Sequence, residues 1–300
     1  MFFNTTKTLQ KFNQNHKKEE DISHKKNING FPSEIIGDIP KFHFILGFAN
    51  DTYDDGAGTG FFKRAWNFDD FSPTKVANLK KEHKNVNVVI SIGGIGAEFP
   101  FNPKDITSWT DNAVSSIKEL IQDYENRLQP INNDDTIIDG IDINYEYINI
   151  NLSEPTQFST CIGQVIQRLK DDPDVSKSMK VVSISPTELV NFHYLALYTN
   201  KPDNIDWINY KFYNQYFRSE YEFINFFNNL VNDYGTALKI LAGFNSDTST
   251  PTPTSQQACI DGCRILIERA LLAGVFVWNA NASAPTYSLE GQLQKLYTKE

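Results

Sequence analysis

From residue 42 onward, short apolar runs alternate with longer stretches of helical spacing. The runs are Phe42–Phe48, Val86–Ile92, Ile137–Glu146, Lys180–Ser185, Ile205–Tyr213, Leu238–Phe244 and Gly274–Trp278, with a weaker one near Phe61–Trp66. Their β-branched and aromatic content predicts strands. Between them, Pro73–His83, Asp105–Leu128, Glu154–Lys170, Ser219–Tyr234 and Gln256–Ala273 carry the spacing of helices, with Thr107 or Ser108 as the expected cap of the second. Strands separated by helices or long loops predict a parallel α/β architecture. The pattern alone leaves a closed (β/α)8 barrel and an open doubly wound sheet as equal alternatives.

One run departs from an apolar strand. In Asp139-Gly140-Ile141-Asp142-Ile143-Asn144-Tyr145-Glu146, side chains alternate between faces. Ile141, Ile143 and Tyr145 point one way, and Asp142, Asn144 and Glu146 the other. Burying carboxylates is costly unless they are paired and hydrogen-bonded. Such a row is either held in a polar network or used for chemistry.

This stretch resembles the Asp-Gly-x-Asp-x-Asp-x-Glu signature of glycoside hydrolase family 18, the chitinase-like barrels. Asp139, Gly140, Asp142 and Glu146 match it; Asn144 stands where the family has Asp. Ser91-Ile92-Gly93-Gly94 matches a second family mark, Ser-x-Gly-Gly, at the end of an earlier strand. The order and spacing of the segments are similar to those of the narbonin-like seed proteins of that superfamily. The resemblance covers residues 31–300 and implies a single (β/α)8 TIM barrel, whose site lies at the carboxyl ends of the strands.

The resemblance also implies roles. Family members work by substrate-assisted retaining hydrolysis. A glutamic acid protonates the glycosidic oxygen while the substrate's acetamido oxygen attacks the anomeric carbon and forms an oxazolinium ion. By position, Glu146 is the acid, Asp142 the inner partner, and Asn144 replaces the Asp that orients the acetamido group. Tyr213 matches the tyrosine that touches the acetamido oxygen, and Trp278 the aromatic floor beneath the sugar. Asp139, Ser91, Gly93, Gly94 and Asn214 complete the expected sugar-binding set. Taken singly, Trp278 reads as a core aromatic and Tyr213 as a strand-end aromatic.

Asn144 changes the expectation of activity. An amide can accept a hydrogen bond but carries no charge to balance a developing cation. Losing one aimed electrostatic group typically costs on the order of 10²–10³ in rate. A neighbouring carboxylate also helps a catalytic acid keep its proton, and Asn144 takes that neighbour away. The expectation is a silent or strongly impaired glycosidase serving as a seed or developmental protein. A lectin-like binder of N-acetylglucosamine oligosaccharides and a weak chitinase are the alternatives.

Composition narrows the rest. Three hundred residues suit one large domain, and 40% hydrophobic residues suffice for a core. With 28 basic against 37 acidic residues, the net charge is −9 and no basic stripe appears, so no nucleic-acid partner is expected. Cys161, Cys259 and Cys263 are too few and too oddly spaced for a disulfide framework or a metal site. No cofactor or metal is expected, and the chain is expected to be a monomer. The first residues turn polar after Met1-Phe2-Phe3, giving neither a signal-peptide core nor a membrane span and a cytoplasmic expectation. Residues 1–30, rich in Lys, Asn, Gln and Glu, are expected to form a disordered tail.

Overall fold

The computed structural model describes residues 2–6, 28–127, 136–149, 154–247 and 255–298. Its strands are β1 (Phe2–Thr6), β2 (Phe42–Asp54), β3 (Ala57–Arg64), β4 (Val86–Gly94), β5 (Gly140–Tyr145), β6 (Val181–Ile184), β7 (Trp207–Tyr210), β8 (Ile240–Asn245) and β9 (Gly274–Trp278). Helices α1 (Pro73–Glu82), α2 (Ile106–Glu125), α3 (Pro155–Asp171), α4 (Asn191–Asn200), α5 (Glu220–Tyr234), α6 (Gln256–Glu268), α7 (Ala280–Ser283) and α8 (Ser288–Gln294) lie between and after them.

The parallel strands run in the order β1-β9-β8-β7-β6-β5-β4-β2, and β1 also pairs with β2. That second pairing closes the ring, so the architecture is a (β/α)8 TIM barrel. The wall has two faces. Ile141, Ile143 and Tyr145 join the large core shared with the surrounding helices, as do Ile184, Ile208 and Tyr210. Ile45, Val89, Val181, Leu241 and Phe276 form a separate cluster, with Trp207 and Tyr213 packed on it. The register aligns Ile45 with Val89 and places Ser91 beside Asp142 and Asp142 beside Ser183, so the polar residues of β5 lie one step up the barrel from the inner apolar layer.

Three sequence expectations change. The eighth barrel strand is not the run near Phe61–Trp66: β3 is antiparallel to β2 and forms a hairpin outside the ring. The ring is completed instead by β1, inside the expected tail. Phe2-Phe3-Asn4-Thr5-Thr6 is short but aromatic and β-branched, and both neighbours supply ladder partners. The tail expectation therefore fails at residues 2–6; residues 1 and 7–27 lie outside the described residues. Second, Asp105, not Thr107 or Ser108, caps α2, its carboxylate accepting from the Ser108 N–H at 2.7 Å. Third, α4 was not expected. Its sequence, Asn191-Phe192-His193-Tyr194-Leu195-Ala196-Leu197-Tyr198-Thr199-Asn200, mixes exposed Phe192 with buried His193 and Tyr194 and shows no clean stripe; burial of Tyr194 and Leu197 decides it.

The three cysteines are buried and unpaired. Among the described residues, no three His, Cys, Asp or Glu side chains are grouped so as to hold a metal ion, and no helix is long and apolar enough to cross a membrane.

Candidate active site

The polar face of β5 points into the barrel, as alternation requires. Asp142 is fully buried, and four donors surround it. Ser91 Oγ donates to its Oδ2 at 2.8 Å. Ser183 Oγ, Ser185 Oγ and Asn209 Nδ2 donate to its Oδ1 at 2.7, 2.9 and 3.1 Å. Burial pushes the Asp142 carboxyl above its ordinary range, against the pull of Ser183, Ser91 and Ser185 and of the Lys211 charge.

One step further up, Asn144 Oδ1 accepts from Lys211 Nζ at 2.6 Å. The same ammonium is ion-paired with Glu146 Oε1. Glu146 Oε2 accepts from the Gly96 backbone N–H at 3.0 Å. Both carboxylate oxygens of Glu146 are therefore acceptors. The Lys211 side chain is 4% exposed and that of Glu146 21%, so the pair sits at the boundary between barrel and solvent. Backbone bonds hold the lysine in place: its N–H donates to Pro186 O at 3.1 Å, and its carbonyl accepts from the Asn214 N–H at 3.1 Å.

Tyr213 is half-buried beside this cluster, its ring edge-on to Phe276 with centroids 6.3 Å apart. Burial pushes its phenol well above the ordinary value, and the negative charge of Glu146 adds to the effect. Trp278, at the end of β9, is half-buried and stacks on Phe48 with centroids 5.8 Å apart and planes 23° apart. Gly93 has φ +115°, where a side chain is strained, and a Cβ there would lie 2.8 Å from the Asn144 carbonyl carbon and closer still to its oxygen. Asn50 Nδ2 donates to Gly93 O at 2.8 Å. At Gly94 a Cβ would meet the Phe99 ring at 2.6 Å. Gly93 thus lets β4 lie close against the strand that carries Asn144, while Gly94 makes room for Phe99 and Asn50.

Three relatives frame this geometry. The sequence model of the Glycosyl hydrolases family 18 matches residues 15–260. Chitinase 1 of Tulipa saxatilis subsp. bakeri is 36% identical over 252 residues, which is 81% of this chain and 73% of that protein. The chain belongs to glycoside hydrolase family 18. The catalytic domain of a family 18 chitinase from the fern Peteris ryukyuensis superposes with a TM-score of 0.75 at 30% identity, covering 91% of this chain and 96% of that one. A family 18 chitinase from Crocus vernus gives 0.71 at 28% identity, over 89% and 95%.

Within this family 18 barrel, Asp142, Asn144, Glu146, Tyr213, Ser91, Gly93, Gly94 and Trp278 lie at or near one end of the barrel. Two expected site residues do not join them. Asp139 precedes β5 at its opposite end, about 23 Å of extended chain from Glu146 at ~3.3 Å per residue. There it accepts from Lys80 Nζ at 2.7 Å, Thr136 Oγ1 at 3.0 Å and the Val88 N–H at 2.9 Å, which makes it a strut of the barrel floor. Asn214 is solvent-exposed on the turn after β7 and meets the cluster only through its backbone. The sequence reading missed Lys211. Its signal was present: Asn209, Lys211 and Tyr213 alternate along the expected strand Ile205–Tyr213, and a lysine on the inward face of a barrel strand needs an anion.

Proposed function

We propose that this is a catalytically silent member of family 18, a chitinase-like barrel of the narbonin kind that serves as a seed or developmental protein and not as a chitinase. The observation that carries this is the state of Glu146. A catalytic acid must present a proton to the glycosidic oxygen. Here one carboxylate oxygen holds an ammonium and the other a backbone N–H. The residue that would balance the oxazolinium charge is a neutral amide, and its oxygen is occupied by the same ammonium. Acid and counter-charge are thus both disabled, and either loss alone is of the size that removes 10²–10³ in rate. The test is a time course of N-acetylglucosamine hexamer cleavage by the native protein and by Glu146→Gln. The expected result is the same background in both; cleavage abolished by Glu146→Gln overturns the proposal.

A second reading, a binder of N-acetylglucosamine oligosaccharides, is favoured by Trp278 and Tyr213. Both keep part of their surface exposed at the strand ends, Tyr213 close enough to Glu146 to feel its charge and Trp278 braced from one side by Phe48. A calorimetric titration with the hexamer separates the readings. Micromolar binding assigns the barrel a lectin-like role, and no binding at millimolar sugar leaves it a scaffold.

A further inference from the structure

We infer that Lys211 is a second lock on this site, coupled to residue 144, and that restoring a carboxylate at 144 leaves the site shut until Lys211 is removed. The inference rests on the reading of the chain as a silent barrel and deepens it.

The coupling follows from the shared ammonium. Lys211 Nζ bonds Asn144 Oδ1 at 2.6 Å and pairs with Glu146 Oε1, bridging the side chain that would orient an acetamido group and the one that would protonate the glycosidic oxygen. An acetamido N–H seeking an acceptor at residue 144 competes with a cationic donor that is already there. Charge-assisted hydrogen bonds are roughly twice as strong as neutral ones, so the neutral donor is at a disadvantage. Restoring Asp at 144 would set a second carboxylate against the same ammonium. The ion pair would become an anion–cation–anion triad, and the new charge would be spent on Lys211 instead of on an oxazolinium ion. Asn144→Asp therefore tightens the hold on Lys211.

The lysine has little freedom to turn aside. Its backbone N–H and carbonyl are both bonded, to Pro186 and Asn214, and its side chain is almost fully buried. Removing the charge acts on both partners at once. Glu146 loses the ammonium and residue 144 regains a free acceptor, while the Gly96 donor and the hydroxyl donors around Asp142 are untouched and Asp142 loses only the distant pull of the Lys211 charge. Lys211 thus acts on the chemistry through Glu146 and residue 144.

The experiment is a double-mutant cycle of Asn144→Asp with Lys211→Gln, read as hydrolysis of methylumbelliferyl tri-N-acetylchitotrioside and as calorimetric binding of the trisaccharide. Lys211→Met is a second neutral variant, and Lys211→Arg keeps the charge. Near-ultraviolet circular dichroism selects the variants that fold. The expected double-mutant gain is on the order of 10²-fold and exceeds the product of the two single gains by at least tenfold, the size of one regained electrostatic group. Lys211→Met reproduces it in the Asn144→Asp background and Lys211→Arg does not. Asn144→Asp alone gaining as much as the double mutant overturns the inference, as does a folded, sugar-binding double mutant with no gain. Glu146-dependent turnover by the unmodified protein instead overturns the silent reading on which the inference rests.

Discussion

Lys80 and Asp139 form an ion pair at 2.7 Å at the floor of the barrel, with the Asp139 side chain 1% exposed. The first Asp of the family signature is thus a structural residue in this chain. Its carboxylate ties α1, the start of β5 and the Val88 N–H of β4 together. Breaking a buried pair by removing one partner typically costs about 3–5 kcal/mol. Asp139→Ala is expected to lose stability of that order in denaturant melts while leaving any sugar affinity within error of the native protein. A changed affinity at unchanged stability would return Asp139 to the site.

Gly93 makes a matching prediction at the other end of β4. Its positive φ and its close approach to the Asn144 carbonyl both oppose a side chain. Strain at such a φ costs about 1–3 kcal/mol and overpacking a similar amount, so Gly93→Ala is expected to cost at least about 2 kcal/mol. Thermal unfolding measures it. A neutral Gly93→Ala would mean that β4 and β5 have room to separate.

The hairpin of β2 and β3 is pinned to α2 by Asp51. Its Oδ2 accepts from Trp109 Nε1 at 2.7 Å and its Oδ1 from the Gly60 N–H at 2.8 Å. Burial outweighs these donors and raises the carboxyl from 3.8 to about 6. The folded protein therefore binds more protons than the unfolded chain between about pH 4 and pH 6, and the contribution of Asp51 to stability falls as pH rises through that window. The whole span is worth on the order of 3 kcal/mol. In Asp51→Asn this part of the pH dependence disappears, although the variant starts lower because one N–H donor now faces an amide NH₂. Melting temperatures of both proteins from pH 4 to pH 7 test it; parallel curves would contradict it.

β1 yields the fourth prediction. Phe2–Thr6 pairs with His43–Gly47 on one side, and Phe2 and Phe3 pair with Phe276 and Val277 on the other. Deleting residues 1–6 uncovers the facing edges of β2 and β9, leaving buried backbone groups without partners. Loss of a cooperative thermal transition is expected. A native-like transition in the truncated chain would show that the barrel holds without this strand.

Much of this was legible in the sequence. The alternation in Gly140–Tyr145 separates the helix-facing Ile141, Ile143 and Tyr145 from the inward Asp142 and Asn144, because period-two patterning is read directly from residue type. What escaped depends on contacts between distant segments. Phe2–Thr6 becomes a strand through two partners more than 30 residues away or at the far end of the chain. Asp139 looked like a site residue because it belongs to a motif, yet its strand carries it to the other end of the barrel. Lys211 lay in plain view on an expected strand, but only the closure of the ring brings β7 round to face Glu146.

The central claim is the ion pair between Lys211 and Glu146, and it can be observed directly. In protein carrying ¹⁵N-labelled lysine, the Lys211 ammonium is identified by the signal missing from Lys211→Gln. The account predicts a resonance protected from solvent exchange in the native protein, which loses that protection in Glu146→Gln. A Lys211 signal that exchanges as fast as those of surface lysines, unmoved by Glu146→Gln, would contradict it.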